Sequence, residues 1–263
     1  MVDKKCIFIT GAGSGIGRET ARFFASKGWF TGLFDIHEAR LSSLAREIGP
    51  GNCCRRIMDV TRIVDVQEAV KFFSDSTGGR MDVLFNCAGI LSMGPHAGTP
   101  IEVQKTIVDV NFCGILNCIN AGFDLLSATQ GGCIINMSSA SSVYGTPELA
   151  VYSATKFAVS GLTEALNIEF EPHGIRVSDV SAPYVRTPMI TDAKTRAGSV
   201  DRLGIRLTPQ QVAAVVWKAA HGNRVHWRVG LMLKLLIFFM WAFPFMTRTL
   251  VKWLAFDGKK QSE

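Results

Sequence analysis

The amino-acid sequence predicts an α/β fold in which one doubly wound parallel sheet of six to seven strands carries helices on both faces. Short apolar runs rich in β-branched and aromatic residues alternate with longer segments of helical period, which is typical of strands joined by crossover helices. The 263 residues are 48% hydrophobic and 19% charged, so the chain can bury one large core. A single α/β domain is therefore expected.

Six apolar runs predict the strands, and the patterns between them predict the helices. The strands are expected at 6–10, 30–34, 54–58, 83–86, 133–137 and 176–180, with a seventh near 225–229. The helices are expected at 15–27, 38–48, 61–76, 103–128, 150–170 and 209–221, the last one opened by the N-cap signal Thr208-Pro209. Residues 183–207 lack a clear period and are long for a connection in a compact domain, which predicts a substrate lid.

The cysteines and histidines predict neither a disulfide framework nor a metal site. The seven cysteines are odd in number and form no CxxC pair, and most lie in apolar runs, which indicates reduced core residues. The five histidines are dispersed and show no HxxxH or HExxH spacing. No secretory signal precedes the first predicted strand, so the expected location is cytoplasmic.

The glycines of ITGAGSGIGRE follow the first predicted strand and open the first helix. Gly11, Gly15 and Gly17 form the pattern TGxxxGxG, in which glycine permits a tight turn and close helix packing. In this context backbone N–H groups and a helix N-terminus come close to a pyrophosphate, so a dinucleotide-binding loop is predicted. The alternative is an ordinary turn between a strand and a helix.

Asp35 follows Gly17 by 18 residues and ends the second predicted strand. A carboxylate at this place accepts hydrogen bonds from adenosine ribose hydroxyls and repels a 2′-phosphate, so NAD is expected to be preferred over NADP. Arg18 and Arg40 leave NADP possible. The alternative for Asp35 is the N-cap of the helix that begins near Glu38.

Tyr152 and Lys156 are four residues apart in the predicted helix 150–170, so their side chains share one face. Such a pair is either a chance surface arrangement or an acid/base device. When a carbonyl is reduced, its oxygen becomes negative and needs a proton donor, and a phenol can supply that proton. A nearby cation favours phenolate, so Lys156 together with the oxidised nicotinamide is expected to bring the pKa of Tyr152 from about 10 toward neutrality.

Several motifs, in order and over residues 5 to about 220, resemble the short-chain dehydrogenase/reductase family. They are the glycine loop from Thr10, Asp59-Val60 after the third strand, NCAG at 86–89, Asn111 in VDVNFCG, IINMSS ending at Ser139, and the Tyr152 and Lys156 pair. The resemblance implies a Rossmann-like fold and the catalytic residues Asn111, Ser139, Tyr152 and Lys156. Ser139 would hydrogen-bond the substrate oxygen, Asn111 would anchor a water of a proton relay, and Lys156 would also hold the nicotinamide ribose.

The resemblance also implies a set of residues that contact the cofactor. They are Gly11, Ser14, Gly15, Ile16, Gly17, Asp35, Asp59, Val60, Asn86, Ala88, Gly89, Tyr152, Lys156, Pro183, Val185 and Thr187. Ser138, Ser141 and Ser142 compete with Ser139 for the catalytic position. For the three serines that do not hold that position, the alternative is a serine-rich turn that satisfies its own backbone.

The substrate pocket is expected to be apolar. Where the family usually has Pro-Gly after the sixth strand, this chain has Pro183-Tyr184. Tyr184 either shapes the substrate site or packs on the surface, and Met93 and Met189 are expected to join it in the pocket wall. The predicted substrate is a small hydrophobic alcohol or ketone, such as a lipid-like, retinoid, steroid or terpenoid compound.

The C-terminal end of the chain differs in composition from the rest. Residues 1–217 contain 20 basic and 20 acidic side chains, whereas residues 218–263 contain 8 and 2, so the net charge of +6 lies at this end. Residues 1–228 are expected to form the catalytic domain, and residues 229–263 an apolar, basic tail. The run 229–246 carries one charge, Lys234, and is interrupted by Pro244, so a full membrane crossing is not expected.

Three interpretations of the tail remain open. Tryptophans interleaved with Lys and Arg favour a peripheral anchor at a membrane surface through 229–256. The second interpretation is a contact within a homodimer or homotetramer that covers the substrate pocket, and the third is a buried core helix. Nucleic-acid binding is not expected, because the charges are spaced among apolar residues rather than clustered.

The sequence therefore predicts an oxidoreductase that interconverts an alcohol and its carbonyl by hydride transfer with a nicotinamide cofactor. The alternative from another class is a non-catalytic nucleotide-binding regulator or scaffold with the same fold. The matched acid, cation and relay residues argue against that alternative, because a regulator has no physical need for them.

Overall fold

Seven parallel strands form one sheet in the order β3-β2-β1-β4-β5-β6-β7, which confirms the predicted fold class. The computed structural model describes residues 4–193 and 195–255. The strands are β1 (Cys6–Thr10), β2 (Phe30–Asp35), β3 (Cys53–Ile57), β4 (Val83–Asn86), β5 (Cys133–Met137), β6 (Arg176–Ser181) and β7 (His226–Arg228). The predicted seventh strand is thus present, and the last tail residues, 256–263, lie outside the described part of the chain.

Helices connect the strands and continue after the last one. They are α1 (Gly15–Ser26), α2 (Glu38–Ile48), α3 (Ile63–Thr77), α4 (Ile101–Val108), α5 (Gly114–Ala128), α6 (Ala150–Glu169), α7 (Pro188–Thr191), α8 (Gly198–Leu203), α9 (Pro209–His221), α10 (Leu231–Ala242) and α11 (Thr247–Ala255). The predicted cap of α9 is present as a capping box between Thr208 and Gln211. The predicted lid contains the two short helices α7 and α8.

The sheet is apolar on both faces, as expected for parallel strands covered by helices. Helices α1, α2 and α9 pack on one face, and α3, α5 and α6 pack on the other. On the second face Phe8 stacks on Phe34 with ring centroids 3.9 Å apart, and Phe73 of α3 meets Phe8 edge-on at 5.4 Å. These buried aromatic contacts fix α3 against the strands next to the cleft.

The chain leaves β1 and β4 in opposite directions around the sheet, which opens a crevice at their carboxyl ends. Thr10, the last residue of β1, joins the two strand ends. Its hydroxyl oxygen accepts hydrogen bonds from the backbone N–H groups of Cys87 and Ala88 at 3.0 and 2.9 Å. The loops that follow both strands are therefore held together at the place where ligands bind in this architecture.

The predicted helix 103–128 lies within one continuous helical segment, Ile101–Ala128, in which a π-helical turn at Asp109–Cys113 joins α4 to α5. Asn111 lies in this turn and is fully buried, with its side chain bonded to the backbone of Ile90. Gly114 follows, and a Cβ there would lie 2.7 Å from Val60 Cγ2. Close packing and a long-range hydrogen bond therefore set the local winding.

In the part of the chain that the structure describes, one helix meets the length and composition of a membrane-crossing helix, and one bent pair of helices meets them when taken together. The first, Ile101–Ala128, lines the core through buried residues of α5, as a core helix of a globular domain does. The second consists of α10 and the following residues, but its two halves meet at 107° near Pro244. The 12 residues of α10 span about 18 Å, which is short of the bilayer core. The bend agrees with the expectation that the tail does not cross a membrane as one helix.

A buried carboxylate joins β6 to β7 and gives a pH-dependent contribution to stability. Asp179 is fully buried and accepts hydrogen bonds from Ser160 and Arg228, both at 3.1 Å, and it contacts His226 Nδ1 at 2.9 Å. The hydrogen bond with Asp179 is the main reason why the pKa of His226 is raised above its ordinary value of 6.5. Protonated His226 is therefore favoured in the folded state, and its stabilisation is complete below 6.5 and lost as the pH rises through the raised pKa.

We expect the free energy of unfolding of the wild type, measured with urea, to fall between pH 6 and pH 9 relative to that of His226→Gln. The difference should be about 1 kcal/mol or less, because the imidazole is partly exposed. Glutamine keeps a hydrogen-bond donor for Asp179 but does not titrate. An identical pH profile for both proteins would contradict this role of His226.

Candidate active site

A cleft of about 690 Å³ lies at the carboxyl ends of β1, β4, β5 and β6. It is lined by the glycine loop, the ends of these strands, the first half of α6 and the lid. All predicted cofactor residues reach this cleft except Asn86, and all predicted catalytic residues reach it except Asn111. Of the three predicted pocket residues, Tyr184 and Met189 line the cleft and Met93 does not.

The glycine loop has the shape that the dinucleotide interpretation requires. Gly11 and Gly15 have φ angles of +67° and +51°, which other residues rarely adopt. A Cβ on Gly11 would lie 2.9 Å from Ala88 Cα, and one on Gly17 would lie 2.2 Å from the Gly11 carbonyl oxygen. Helix α1 begins at Gly15 with no acidic residue in its first turn, so its N-terminal N–H groups are available to an anion. These features fit a loop that binds a pyrophosphate, and an ordinary turn between a strand and a helix does not require them.

Asp35 lies at the far end of the cleft and carries out part of both predicted roles. Its Oδ2 accepts a hydrogen bond from the Gly13 N–H at 2.9 Å, and its Oδ1 accepts one from the His37 N–H at 3.0 Å. The second bond resembles a helix cap, while the carboxylate still faces the cleft. Arg18 is paired with Glu47 instead of pointing freely at this end. The carboxylate thus remains the nearest charge to a ribose bound there.

Tyr152 and Lys156 occupy one face of α6 and are not a chance surface pair. Lys156 is buried and its ammonium donates a hydrogen bond to the Met137 carbonyl at the end of β5, 2.8 Å away. The ammonium nitrogen lies 5.5 Å from the Tyr152 ring centroid. The Ser139 side chain, which follows β5, lies close enough to the Tyr152 hydroxyl to exert a lowering influence on its pKa. Strand β5 and helix α6 therefore bring the phenol, the hydroxyl and the ammonium together in the cleft.

Burial shifts the pKa values of Tyr152 and Lys156 in opposite directions. Burial raises the pKa of Tyr152 to about 12, and only the Ser139 hydrogen bond opposes this shift. Burial also lowers the pKa of Lys156 to about 8. The lowering expected from Lys156 together with the oxidised nicotinamide requires the bound cofactor and stays a prediction. At neutral pH Tyr152 holds its proton, which suits donation to a substrate oxygen.

The hydrogen bonds separate Ser139 from its three neighbouring serines. Ser142 donates to the Ser139 carbonyl at 2.7 Å, and Ser141 shares a hydrogen bond with Thr146 at 3.1 Å. The Ser138 hydroxyl is buried and has no partner among the residues that the structure describes. Of the four, only Ser139 acts on the pKa of Tyr152, and its Oγ also accepts a hydrogen bond from the Ser141 N–H at 3.2 Å within the turn. The serine-rich turn interpretation therefore fits Ser141 and Ser142, and the catalytic interpretation fits Ser139.

Asn86 and Asn111 lie behind the cleft and support it. Asn111 Oδ1 accepts from the Ile90 N–H at 2.8 Å, and its Nδ2 donates to the Ile90 carbonyl at 2.9 Å. Asn86 Nδ2 donates to Asn136 Oδ1 at 2.9 Å inside the sheet. Asn86 is buried and does not line the cleft, and its role as a cofactor contact stays a prediction. The relay role of Asn111 stays a prediction.

The lid forms a small apolar core over the substrate side of the cleft. Met93 belongs to this core, together with Leu149, Ile190 and Val200, instead of lining the pocket, because its sulfur accepts a hydrogen bond from the Ala197 N–H at 3.3 Å. Tyr184 is partly buried and its hydroxyl contacts Ser199 Oγ at 2.5 Å. It therefore forms part of the pocket wall.

Two features of this side of the cleft were missed by the sequence-based reasoning. Leu203, at the end of α8, lines the cleft. Glu148 has a φ of 65°, and its carboxylate accepts a hydrogen bond from the Gly198 N–H at the start of α8, at 2.7 Å. The sequence carries no signal for either, because both depend on where the lid folds back. Among the described residues no group of three His, Cys, Asp or Glu side chains is placed to hold a metal ion.

The fold and the site together define a class of protein: a dinucleotide-binding oxidoreductase of the Rossmann type with a tyrosine–lysine pair. Comparison with known proteins gives the family. A family model described as "short chain dehydrogenase" matches residues 5–198. The chain belongs to the short-chain dehydrogenase/reductase family.

Two curated relatives and one solved structure illustrate the similarity. Cyclohexanol dehydrogenase of Acinetobacter sp. (strain SE19) is 31% identical over 221 residues, covering 81% of this chain and 86% of that protein. Meso-2,3-butanediol dehydrogenase of Serratia marcescens is 31% identical over 218 residues, covering 81% and 86%. The crystal structure of 3-ketoacyl-(acyl-carrier-protein) reductase from Brucella melitensis complexed with NADH has a TM-score of 0.78 and 29% identity, covering 86% of this chain and 96% of that one.

Proposed function

We propose that the protein is an NAD-preferring dehydrogenase/reductase that interconverts an apolar alcohol and its carbonyl compound. The observation that carries the proposal is the convergence of Ser139, Tyr152 and Lys156 beside the glycine loop in one cleft. The same convergence disfavours a non-catalytic nucleotide-binding regulator. The relatives named as dehydrogenases and the neighbour complexed with NADH support the reaction class and the cofactor.

Different residues of the cleft bind the cofactor and act on the substrate in the proposed mechanism. Bound NAD supplies the hydride acceptor for oxidation, and NADH supplies the hydride for reduction. The glycine loop and the start of α1 hold the pyrophosphate, Asp35 the adenosine ribose, and Lys156 the nicotinamide ribose. The remaining contacts proposed for the cofactor are Asp59, Val60, Ala88, Gly89, Pro183, Val185 and Thr187.

Ser139 and Tyr152 act on the substrate oxygen. Both hydroxyls donate hydrogen bonds to it, which stabilises the negative charge that develops during carbonyl reduction. Tyr152 then transfers its proton to that oxygen, and in the oxidation direction it accepts the proton back. The nearby Lys156 ammonium stabilises the phenolate form of Tyr152 that results from proton donation.

The two relatives are named as dehydrogenases of a ring alcohol and of a small diol, so their names do not indicate one substrate class. The proposed substrate class is therefore based on the residues of the cleft wall. On the substrate side the wall is formed by Leu91, Tyr144, Leu149, Tyr184, Met189, Ile190 and Leu203. Apart from hydroxyl groups these side chains offer apolar atoms and no charge. A bulky apolar alcohol or ketone buries more surface there than a small polyol does.

Location and assembly are also part of the proposal. We infer a cytoplasmic enzyme whose tail, 229–256, meets a membrane surface, as argued below for the described part of the tail. We also infer a homodimer or homotetramer, because Leu116 of α5 and Phe157 and Ile168 of α6 are exposed apolar side chains on neighbouring helices. Light scattering of the wild type and of Phe157→Asp tests the oligomer, which should dissociate in the variant.

A panel of alcohols tests the proposed function directly. Cyclohexanol, borneol, a long-chain alcohol and 2,3-butanediol are incubated with NAD or NADP, and nicotinamide absorbance is followed. We expect kcat/KM to be highest with NAD and a bulky apolar alcohol. Turnover confined to the diol would refute the substrate class, and absence of turnover with every alcohol and with the matching ketones would refute the proposed reaction.

Asp35→Asn is expected to relax the cofactor preference. The amide keeps a hydrogen-bond acceptor for the ribose but removes the charge that repels a 2′-phosphate, and Arg40 then lies in the same end of the cleft. The ratio of kcat/KM with NAD to that with NADP should fall about 10- to 100-fold, since opposed like charges cost several kcal/mol. Glu38→Gln, an acidic residue outside the cleft lining, is the matched control and should leave this ratio unchanged.

A further inference from the structure

Helices α10 and α11 present an apolar surface that the rest of the described chain leaves uncovered. Leu231, Leu235, Phe238 and Trp241 recur at helical spacing along one stripe of α10, Phe245 follows at the bend, and Trp253 lies on α11. Trp241 and Phe245 are each 78% exposed. These six exposed residues are called the tail face. A contiguous set of large exposed apolar side chains marks a contact with a partner or with lipid.

The opposite side of α10 is fixed to the active-site loop. Leu233 and Met240 are buried there and pack against Ala140 and Tyr144. Both Ala140 and Tyr144 also line the cleft. The tail face is therefore one helix diameter from the substrate site, and it is held in place by a packed core rather than by a loose connection.

The second tail helix contacts the lid. Arg202 of α8 donates a hydrogen bond to the Trp253 carbonyl of α11. On its other side α8 is held by the Tyr184 hydroxyl through Ser199, and its last residue, Leu203, lines the cleft. Helix α8 thus lies between the substrate site and the helix that carries Trp253. A partner or lipid surface that covers the tail face therefore lies next to α8 and the lid.

The charges around the tail face select the partner. Between residues 202 and 255 the chain has no Asp or Glu, and Lys234, Arg248 and Lys252 are exposed on α10 and α11. A second copy of the chain joined through this face about a two-fold axis would place these cations opposite the same cations, and α10 and α11 themselves carry no acidic side chain to pair with them. An anionic lipid surface suits both kinds of side chain on the tail helices, because it accepts the apolar side chains and attracts the basic ones.

We propose that the tail face binds the surface of an anionic bilayer and that apolar substrate passes from the bilayer into the cleft beside α8. The bend of 107° between the two helices suits a structure that lies in the interface without crossing it. The binding step stands independently of the enzyme's chemistry, whereas the access step rests on the function proposed above.

Sedimentation with vesicles tests the binding step on the full chain. Wild type is mixed with vesicles of phosphatidylcholine alone or with 30% phosphatidylserine, together with Trp241→Asp and the control Val64→Asp. Val64 is a 57% exposed residue of α3 outside the tail face. We expect wild type and Val64→Asp to bind the anionic vesicles, and Trp241→Asp to bind at least tenfold more weakly. Equal binding of all three proteins, or no binding by wild type, would overturn the proposal.

A charge variant gives a second, independent measurement. Lys234→Gln/Arg248→Gln/Lys252→Gln keeps the six apolar residues and should lose roughly 100-fold in affinity for anionic vesicles, at about fivefold for each cation near the surface. Analytical ultracentrifugation without lipid gives the rival outcome. A wild-type oligomer that Trp241→Asp dissociates, without vesicle binding, would assign the tail face to a second copy and overturn the proposal.

Two substrates separate the access step from the proposed reaction. The oxidation rate of water-soluble cyclohexanol measures the activity of the cleft itself. The oxidation rate of a long-chain alcohol dissolved in the vesicles measures substrate access from the bilayer. Anionic vesicles should raise the long-chain rate of wild type at least fivefold over that of Trp241→Asp, with similar cyclohexanol rates. Equal long-chain rates would overturn the access step, whereas failure to oxidise either alcohol would refute the proposed function and leave the vesicle-binding result standing.

Discussion

Replacement of Tyr152 by phenylalanine is expected to lower kcat for alcohol oxidation about 10³-fold, with NADH affinity close to that of wild type. The variant loses a single hydroxyl, the one whose pKa Ser139 influences, from a residue of α6 that lines the cleft. In the part of the cleft that the structure describes, no other side chain with a dissociable proton occupies the place of the Tyr152 hydroxyl. The ring, and with it the packing of α6, is retained, so the loss falls on proton transfer.

Tyr144→Phe is the matched control for this experiment. Tyr144 is also a buried tyrosine of the cleft, and burial raises its pKa as well, but it packs against α10 and no hydrogen bond links it to Ser139 in the described structure. Its loss should reduce kcat less than tenfold. Steady-state rates and NADH fluorescence titration are measured for both variants. Similar kcat values for Tyr152→Phe and wild type would remove Tyr152 from the mechanism.

The parts of the molecule that sequence reasoning predicted depend on local pattern. Strands β1, β2, β4 and β5 are short, mostly apolar runs because both faces of a parallel sheet are buried, and this property is visible without any tertiary information. The edge strands β3 and β7 are more polar and more exposed. The glycine loop, Ser139, Tyr152 and Lys156 were also predicted. The glycine loop and the Tyr152 and Lys156 pair follow from backbone freedom and helical spacing, whereas Ser139 follows from the resemblance to the family.

The parts that were missed depend on contacts between distant segments. The π-helical turn at Asp109–Cys113 holds Asn111 in reach of Ile90, 21 residues earlier in the chain. Helix α8 has six residues, too few to be stable alone, and is held by Met93 and Glu148 from two other loops. The upward pKa shift of Tyr152 results from burial, which no residue spacing reveals.

The tail shows the same division. Its apolar character and its excess of basic residues were evident from composition, and so was the interruption at Pro244. Which side of α10 is buried was not evident, because α10 is apolar on nearly every side and a helical stripe cannot be selected from such a sequence. The packing of Leu233 and Met240 on Ala140 and Tyr144 selects it. The side of α10 opposite Leu233 and Met240 is therefore the exposed one.

Lys156→Ala is expected to lower kcat/KM for alcohol oxidation at least 10³-fold and to raise the KM for NAD at least tenfold. Two functions are lost together, since the ammonium stabilises the tyrosine phenolate and holds the nicotinamide ribose in the proposed mechanism. Removal of the side chain also leaves the Met137 carbonyl without the donor that now lies 2.8 Å away. An unpaired buried carbonyl costs roughly 1–3 kcal/mol, so thermal unfolding is measured beside the kinetics.

The split between KM and kcat distinguishes this lysine from a residue that only supports the fold. Lys156→Arg keeps the positive charge but places a larger planar group in a buried site, so it should recover part of the NAD affinity and less of kcat. Tyr152→Phe should show the opposite split, with KM for NAD retained and kcat lost. If Lys156→Ala and Lys156→Arg both bound NAD as wild type does and lost only stability, Lys156 would act through the carbonyl of β5 alone. A joint loss of affinity and rate, partly restored by arginine, requires that the charge itself acts in the cleft.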